Sequence, residues 1–460
     1  MDANPVFYDA SGRRRRQFTL AVVAFLALLL LAAGLFAATI VSTTPEPALP
    51  FQAERPGGAA PPNAIERGAK RFGRAIVRRG KWLLNGRPAR LTTLTVAFHA
   101  PWDSSSTASL QRHVDEIDWL VPGWISVTGP DHRWTVFPDR AGRQIVDHAI
   151  HRPKILPMVQ NALNGEWDAA GAAAMLRSPA ARKQLLDRLE AFLVANKADG
   201  AFFDIENLPP PSQRDYHAFL QETRARFRPH GWLIAMAVPV GDPNWRLPVY
   251  ARQVDRLFLM AYDEHDPDGD PGPIASQAWF AATLAHALKG LPLDKVVVAI
   301  GSYAYDWTPG RPADTPSIEE AMLTAHDSGA VPRFDPASGN LTFSYQDEGE
   351  DHELWMLDAA SFHNQMIAAH AQGVSGIALW RLGTEDPSVW QVFGRRHRAA
   401  TDVRAIERIP AGTDVDIEGT GEVLRVGSTP VQGLRRLTLD PSGLVTAETF
   451  VQLPLPFSIQ

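Results

Sequence analysis

From Leu91 to Trp380 the chain alternates between short apolar runs and longer amphipathic stretches. Eight runs recur: Leu94–Phe98, Gly123–Val127, Lys154–Val159, Gly200–Ile205, Trp232–Val238, Arg256–Ala261, Lys295–Ile300 and Gly376–Trp380. Short apolar runs bounded by turn residues read as strands buried on both faces, which is the habit of parallel sheets. The stretches between them, such as Leu110–Leu120, Ser178–Asn196, Asp215–Arg226 and Ser276–Leu288, carry helical periodicity. Ser178-Pro179 is a helix start, with a capping hydroxyl followed by proline at the first helical position. Eight strand–helix units over about 290 residues match an α/β fold of the (β/α)8 TIM-barrel type. A doubly wound open sheet is the alternative, weakened by the lack of a Gly-x-Gly-x-x-Gly after the first run.

The fourth run differs from the others. Asp199-Gly-Ala-Phe-Phe-Asp-Ile-Glu206 feeds two carboxylates into an apolar strand. Side chains two apart share a face, so Phe202, Asp204 and Glu206 lie on one side and Ala201, Phe203 and Ile205 on the other. Burial and mutual repulsion both oppose ionisation of such a pair, and one carboxyl that keeps its proton near neutral pH is an acid catalyst. The competing reading is a pair of solvated acids in the loop after the strand. In a barrel, chemistry gathers at the C-terminal strand ends. Phe98 ends the first strand, Tyr262-Asp263 follows the sixth, Tyr303, Tyr305 and Trp307 follow the seventh, and Trp380 ends the eighth. Each of these aromatics taken alone reads as core packing. Together at one rim, with the acid pair, they equip a sugar site.

The remaining segments frame this region. Ser302 to Ser375 is too long for a plain connection and predicts a small insertion between strands seven and eight, with Ser317–His326 helical, Leu341–Tyr345 extended and Ser361–Ala371 helical. Residues 397–460 alternate like strands and predict a small β appendix after a barrel domain at 67–396. At the other end, Arg13-Arg-Arg-Arg16 precedes Phe18–Val41, 24 residues without a charge. As a helix this run is about 36 Å long, enough for a membrane anchor at 18–41 with residues 1–17 in the cytoplasm. A cleavable signal peptide is the rival reading. Residues 42–66, rich in Pro, Ala and Gly, read as a linker, and Trp82–Leu91 as a hairpin around Asn85-Gly86. The expected location is the inner (cytoplasmic) membrane, single-pass, with the barrel in the periplasm or outside.

Composition narrows the function classes. A net charge of −6 gives no reason to expect a nucleic-acid partner, and the absence of cysteine excludes disulfides, thiolate metal sites and cysteine nucleophiles. His99 and His265 lack a paired ligand at metal-site spacing, so neither a metal nor a cofactor is expected.

Three motifs then coincide: Asp199-Gly-Ala-Phe202-Phe-Asp204-Ile-Glu206, Met260-Ala-Tyr262-Asp263 and Trp380. In order and at barrel spacing they resemble glycoside hydrolase family 18, the chitinase-like barrels, over about residues 91–395. That family carries Asp-x-x-Asp-x-Asp-x-Glu, Met-x-Tyr-Asp and a tryptophan at these places. One position departs, since Phe202 stands where the family has its middle aspartate, a partner of the next one. The resemblance implies a retaining, substrate-assisted hydrolase of β-1,4-linked N-acetylglucosamine polymers. It makes Glu206 the acid, Asp204 and Tyr262 its catalytic partners, and Trp380, Asp263, Asp199, Tyr303 and Phe98 substrate-binding residues. The stretches around Met260–Phe280 and Gly301–Trp307 are similar to membrane-anchored bacterial proteins in which such a barrel joins a polysaccharide deacetylase and a glycosyltransferase. That similarity implies a deacetylase or glycosyltransferase as partner. Two other functions stay open: a non-catalytic glycan-binding barrel that assists a synthase or deacetylase, and a transglycosylase.

Overall fold

The computed structural model describes residues 94–374 and 376–395, and beyond them the strands Asp414–Asp416, Arg425–Val426, Thr429–Pro430, Gly433–Leu439 and Val445–Gln452, with Asp440 and Leu444. The expected N-terminal segment, anchor, linker and Trp82–Leu91 hairpin lie outside the described residues. Among the described residues no helix is long and apolar enough to cross a membrane.

The parallel strands form one curled sheet. Its strands are β1 (Leu94–His99), β2 (Trp119–Pro122), β3 (Ile125–Thr128), β5 (Lys154–Ile155), β6 (Met158–Gln160), β9 (Gly200–Asp204), β10 (Leu233–Pro239), β11 (Arg256–Met260), β12 (Val296–Gly301) and β17 (Gly376–Trp380). A hairpin strand, β4 (Arg133–Val136), runs antiparallel to β3, and a second small hairpin, β7 (Ala162–Leu163) with β8 (Glu166–Trp167), follows β6. β17 pairs with both β12 and β1, β1 with β2, β2 with β5, β3 with β6, and β6 with β9. Counting the collinear segments β2/β3 and β5/β6 as one strand each, the pairing closes a ring of eight. The (β/α)8 expectation holds in this form.

Two expectations needed correction. The helix placed at Leu110–Leu120 lies instead at Ser104–His113, and the second barrel strand begins at Trp119 rather than Gly123. Trp119-Leu-Val-Pro122 is buried throughout and apolar at every position, so periodicity could not separate it from the helix before it. The third run is also broken, at Leu156-Pro157. Pro157 has no N–H to give the ladder, yet its carbonyl still accepts the Phe202 N–H at 3.0 Å. The other helices fall close to their predicted places, and the Pro179–Ala195 helix is capped by the Ser178 hydroxyl on Ala181 N–H at 3.2 Å.

Strand alternation divides the core in two. Outward residues such as Ala201, Phe203, Ile234, Met236, Leu257 and Leu259 pack beneath the helices. Inward residues, among them Val96, Phe98, Phe202, Ala235, Phe258, Val297 and Ala378, fill the lumen. The insertion forms an antiparallel sheet of β13 (Ala304–Trp307), β14 (Arg333–Asp335), β15 (Asn340–Asp347) and β16 (Glu350–Met356), with the Ile318–Ser328 helix packed on one face. In the C-terminal region, Val445–Gln452 pairs with Gly433–Leu439 and also docks on the barrel. Asn364, in the Ala359–Ala371 helix, exchanges two hydrogen bonds of 2.8 Å with the Val445 backbone.

Candidate active site

β9 delivers Asp204 into the mouth of the lumen, and Glu206 follows two residues later. Asp204 is 4% exposed and Glu206 half-buried. The two carboxyls share a hydrogen bond. Burial raises the pKa of Asp204 to about 7, with the bond to Glu206 pulling the other way. Burial raises Glu206 well above the carboxylate range, and the charges of Asp204 and Asp263 and the hydrogen bond to Asp204 add to it. Burial and mutual repulsion therefore make the pair retain a proton near neutral pH.

Glu206 is fixed through its backbone. Asn161, 1% exposed just after β6, accepts the Glu206 N–H at 2.9 Å and donates to the Glu206 carbonyl at 3.1 Å. Asn207, the next residue, takes a left-handed φ of +55°, which asparagine tolerates. Sequence reasoning missed Asn161. A lone polar pair, Gln160-Asn161, at the C-terminal end of an apolar strand was the available signal.

Tyr262 follows β11, half-buried, and its phenol lies within the electrostatic reach of Asp263, Asp204 and Glu206. Burial first, and then those three carboxylates, hold its pKa well above the usual phenol value, so it is a neutral donor. The Trp380 indole lies 6.4 Å from the Tyr262 ring at an interplanar angle of 21°. Asp263 has a left-handed φ of +63° and is exposed. Its Oδ1 accepts the Tyr303 hydroxyl at 2.5 Å and the Tyr305 hydroxyl at 2.8 Å. Tyr303, 6% exposed, also packs edge-on to Tyr262 with centroids 6.1 Å apart. Tyr303 and Asp263 are thus committed to each other beside Tyr262, with Tyr305 as a third member that sequence reasoning did not assign.

Two predicted substrate-binding residues do not face the cleft. Asp199 precedes β9, at the opposite end of the strand from Glu206. Its carboxylate accepts the Ile155 N–H at 2.8 Å and pairs with Arg152 at 3.4 Å. Its work is to join two strands at the far end of the barrel. Phe98 is 4% exposed because β1 turns it inward, where it meets Phe202 at 5.2 Å, Phe258 at 6.1 Å and Trp380 at 5.0 Å. It supports the indole from below. Phe202 completes this cluster, fully buried and edge-on to Phe258 at 4.8 Å. With an apolar ring one pleat beneath it, Asp204 Oδ1 finds no hydrogen-bond partner among the described residues.

The histidines weighed as ligands are engaged elsewhere. His99 Nδ1 is 2.8 Å from the Ser106 hydroxyl, and His265 Nδ1 is 3.0 Å from the Asp270 carbonyl. Among the described residues no three His, Cys, Asp or Glu side chains are grouped to hold a metal ion.

Comparison with known proteins agrees with this geometry. The model of glycosyl hydrolases family 18 matches residues 95–385. An uncharacterized glycosylase of Bacillus subtilis is 26% identical over 272 residues, covering 56% of this chain and 79% of that protein. The cortical fragment-lytic enzyme of B. subtilis is 28% identical over 203 residues, 41% of this chain, and the match spans 47% of its own length. Among solved structures, a chitinase from Chromobacterium violaceum superposes with a TM-score of 0.59 at 24% identity, over 67% of this chain and 99% of the other. The spore cortex-lytic enzyme SleL of Bacillus megaterium also gives 0.59, at 20% identity over 65% and 73%. Because that family model matches more than half of the chain, through the barrel strand that carries Trp380, the chain belongs to family 18 of the glycosyl hydrolases and is a glycoside hydrolase.

Proposed function

We propose that the chain hydrolyses β-1,4-linked N-acetylglucosamine-containing glycans with retention, by substrate assistance. The observation that carries this reading is geometric: the carboxyls of buried Asp204 and half-buried Glu206 meet at the barrel mouth beside the Tyr262 phenol, with the Trp380 indole 6.4 Å from that ring. Family 18 is an exception to the scheme that needs two catalytic carboxylates. Glu206 protonates the glycosidic oxygen as the C1–O bond breaks. The acetamido carbonyl oxygen of the same sugar attacks C1 and forms an oxazolinium ion. Asp204 accepts the acetamido N–H and stabilises the positive charge as it develops, while Tyr262 donates to the acetamido oxygen. Trp380 forms the floor under the reacting ring. Glu206, now ionised, takes a proton from water as that water attacks C1 and displaces the acetamido oxygen, which opens the oxazolinium ion and regenerates the acid. A chitinase and cortical fragment-lytic enzymes among the similar proteins support a glycan substrate.

The test is Glu206→Gln assayed on N-acetylglucosamine oligomers with mass-spectrometric readout. Turnover should vanish while oligomer binding persists, and unchanged turnover removes the assignment. Phe202 favours a second reading, a barrel that binds glycan without cleaving it, because it leaves Asp204 Oδ1 without a polar partner among the described residues. Wild-type protein that binds oligomers and never cleaves them would establish that reading. We also propose that the apolar run Phe18–Val41 tethers the barrel to the outer face of the inner membrane. Fractionation of cells, with protease accessibility of the barrel in spheroplasts, tests the tether.

A further inference from the structure

Asp204 has apolar neighbours on two sides. Beneath it lies the fully buried Phe202 ring. On the β10 side the inward residues are Ala235, in register with Phe202, and then Ala237, and neither side chain offers a hydrogen-bond donor. Asp204 Oδ1 has no partner among the described residues. The titratable groups within its electrostatic reach are Glu206 just beyond β9, Tyr262 after β11 and Tyr216 in the Gln213–Phe227 helix, and none of these is a cation. An ionised Asp204 therefore places a negative charge in a buried position with one oxygen unmet. A carboxylate in that state calls for a donor.

The third side holds one. β6 runs parallel to β9, with Met158 in register with Phe202 and Gln160 in register with Asp204. Met158 and Phe202 both fill the lumen. Gln160 and Asp204, each two residues further along, turn to the same inward face at the barrel mouth. Gln160 is 9% exposed. Among the described residues its carboxamide has no hydrogen-bond partner. Neighbouring strands lie about 4.8 Å apart, a gap that a glutamine side chain can span. A buried donor without an acceptor thus stands beside a buried acceptor without a donor.

We propose that Gln160 is a positioning residue for Asp204: when the acid ionises, the Gln160 carboxamide N–H turns to donate to Oδ1 and holds the carboxylate ready for the acetamido group. The proposal rests on the role given to Asp204 above. It divides the acid pair between two adjacent residues, with Asn161 fixing the backbone of Glu206 and Gln160 the side chain of Asp204.

The test is the pH profile of kcat/KM on N-acetylglucosamine oligomers, measured on the full chain. Activity that needs ionised Asp204 falls as pH drops through about 7. Gln160→Met keeps the length and removes the donor, so this acidic limb should move up by about one pH unit. Gln160→Lys keeps a donor and adds a positive charge, so the limb should move down. Urea melts supply a readout independent of turnover. The donor engages only the ionised acid, so Gln160→Met should lose more stability at about pH 9 than at about pH 5, whereas a residue that merely fills space would lose the same at both. A limb that stays near pH 7 in both variants, or urea midpoints displaced equally at the two pH values, overturns the proposal. Wild-type cleavage with an unmoved limb removes the role of Gln160 and leaves the hydrolase. Wild-type protein that never cleaves, with the unequal loss in the melts, removes the hydrolase and leaves Gln160 as the partner of Asp204.

Discussion

Asn161 holds Glu206 by both faces of its peptide backbone, accepting from the amide at 2.9 Å and donating to the carbonyl at 3.1 Å. The clamp joins the ends of the third and fourth barrel strands, so the aim of the acid depends on a residue that never reaches the substrate. Asn161→Ala leaves the carboxyl present but unaimed. A misplacement of about 1 Å can cost on the order of a hundredfold, so kcat should fall by about that factor with KM little changed. Steady-state kinetics on a fluorogenic oligomer would measure the split.

The acid pair sets the pH response. Asp204 must be ionised to accept a proton or an N–H, and its pKa is raised to about 7. Activity should therefore decline as pH falls through about 7 and hold above it until Glu206 gives up its proton. In Asp204→Asn this acidic limb should disappear from a rate already reduced by about a hundredfold.

The same shift bears on stability. A carboxyl whose folded pKa is raised from 3.8 to about 7 contributes its full stability below about pH 4 and loses it as pH rises through about 7. Asp204→Asn should gain on wild type between about pH 4 and about pH 8, by at most about 4 kcal/mol at ~1.36 kcal/mol per unit. Urea melts at the two pH values would detect the gain.

Phe202 joins Phe98 and Phe258 in edge-on contact within the lumen. Phe202→Ala should cost about 3–5 kcal/mol, as buried phenylalanine truncations do. Phe202→Asp adds an unpaired charge to that loss and should be worse. A denaturation series of the two variants provides the comparison.

Tyr303 and Tyr305 both donate to one oxygen of Asp263. Tyr303→Phe should reduce kcat more than Tyr305→Phe, because the hydroxyl bond to Asp263 holds in place the ring that packs edge-on to Tyr262. In melting experiments the two losses should be non-additive, since each variant leaves Asp263 one remaining phenol.

The barrel was readable wherever a strand was flanked by turn residues, as with Gly376–Trp380, whose bounds the structure reproduces. It was unreadable where helix and strand follow one another with no Gly or Pro between them, which is the case from Leu110 to Val121. The acid pair was legible because period-two alternation carries Asp204 and Glu206 to one face. Asp199 misled because a motif gives spacing but not which end of a strand its members occupy. Phe98 misled because the last inward residue of a strand can cap the lumen as well as face a ligand. Asn161 grips the backbone of Glu206, and a backbone partner leaves no spacing in the sequence to pair with the faint signal of Gln160-Asn161.

The paired bonds between Asn364 and Val445 set a practical limit on trimming the chain. A shortened version ending at Arg395 would strip a helix of the barrel wall of a main-chain partner it holds at two points, and leave a buried carboxamide with two unmet groups. Anyone choosing boundaries for expression should keep the chain through Gln452.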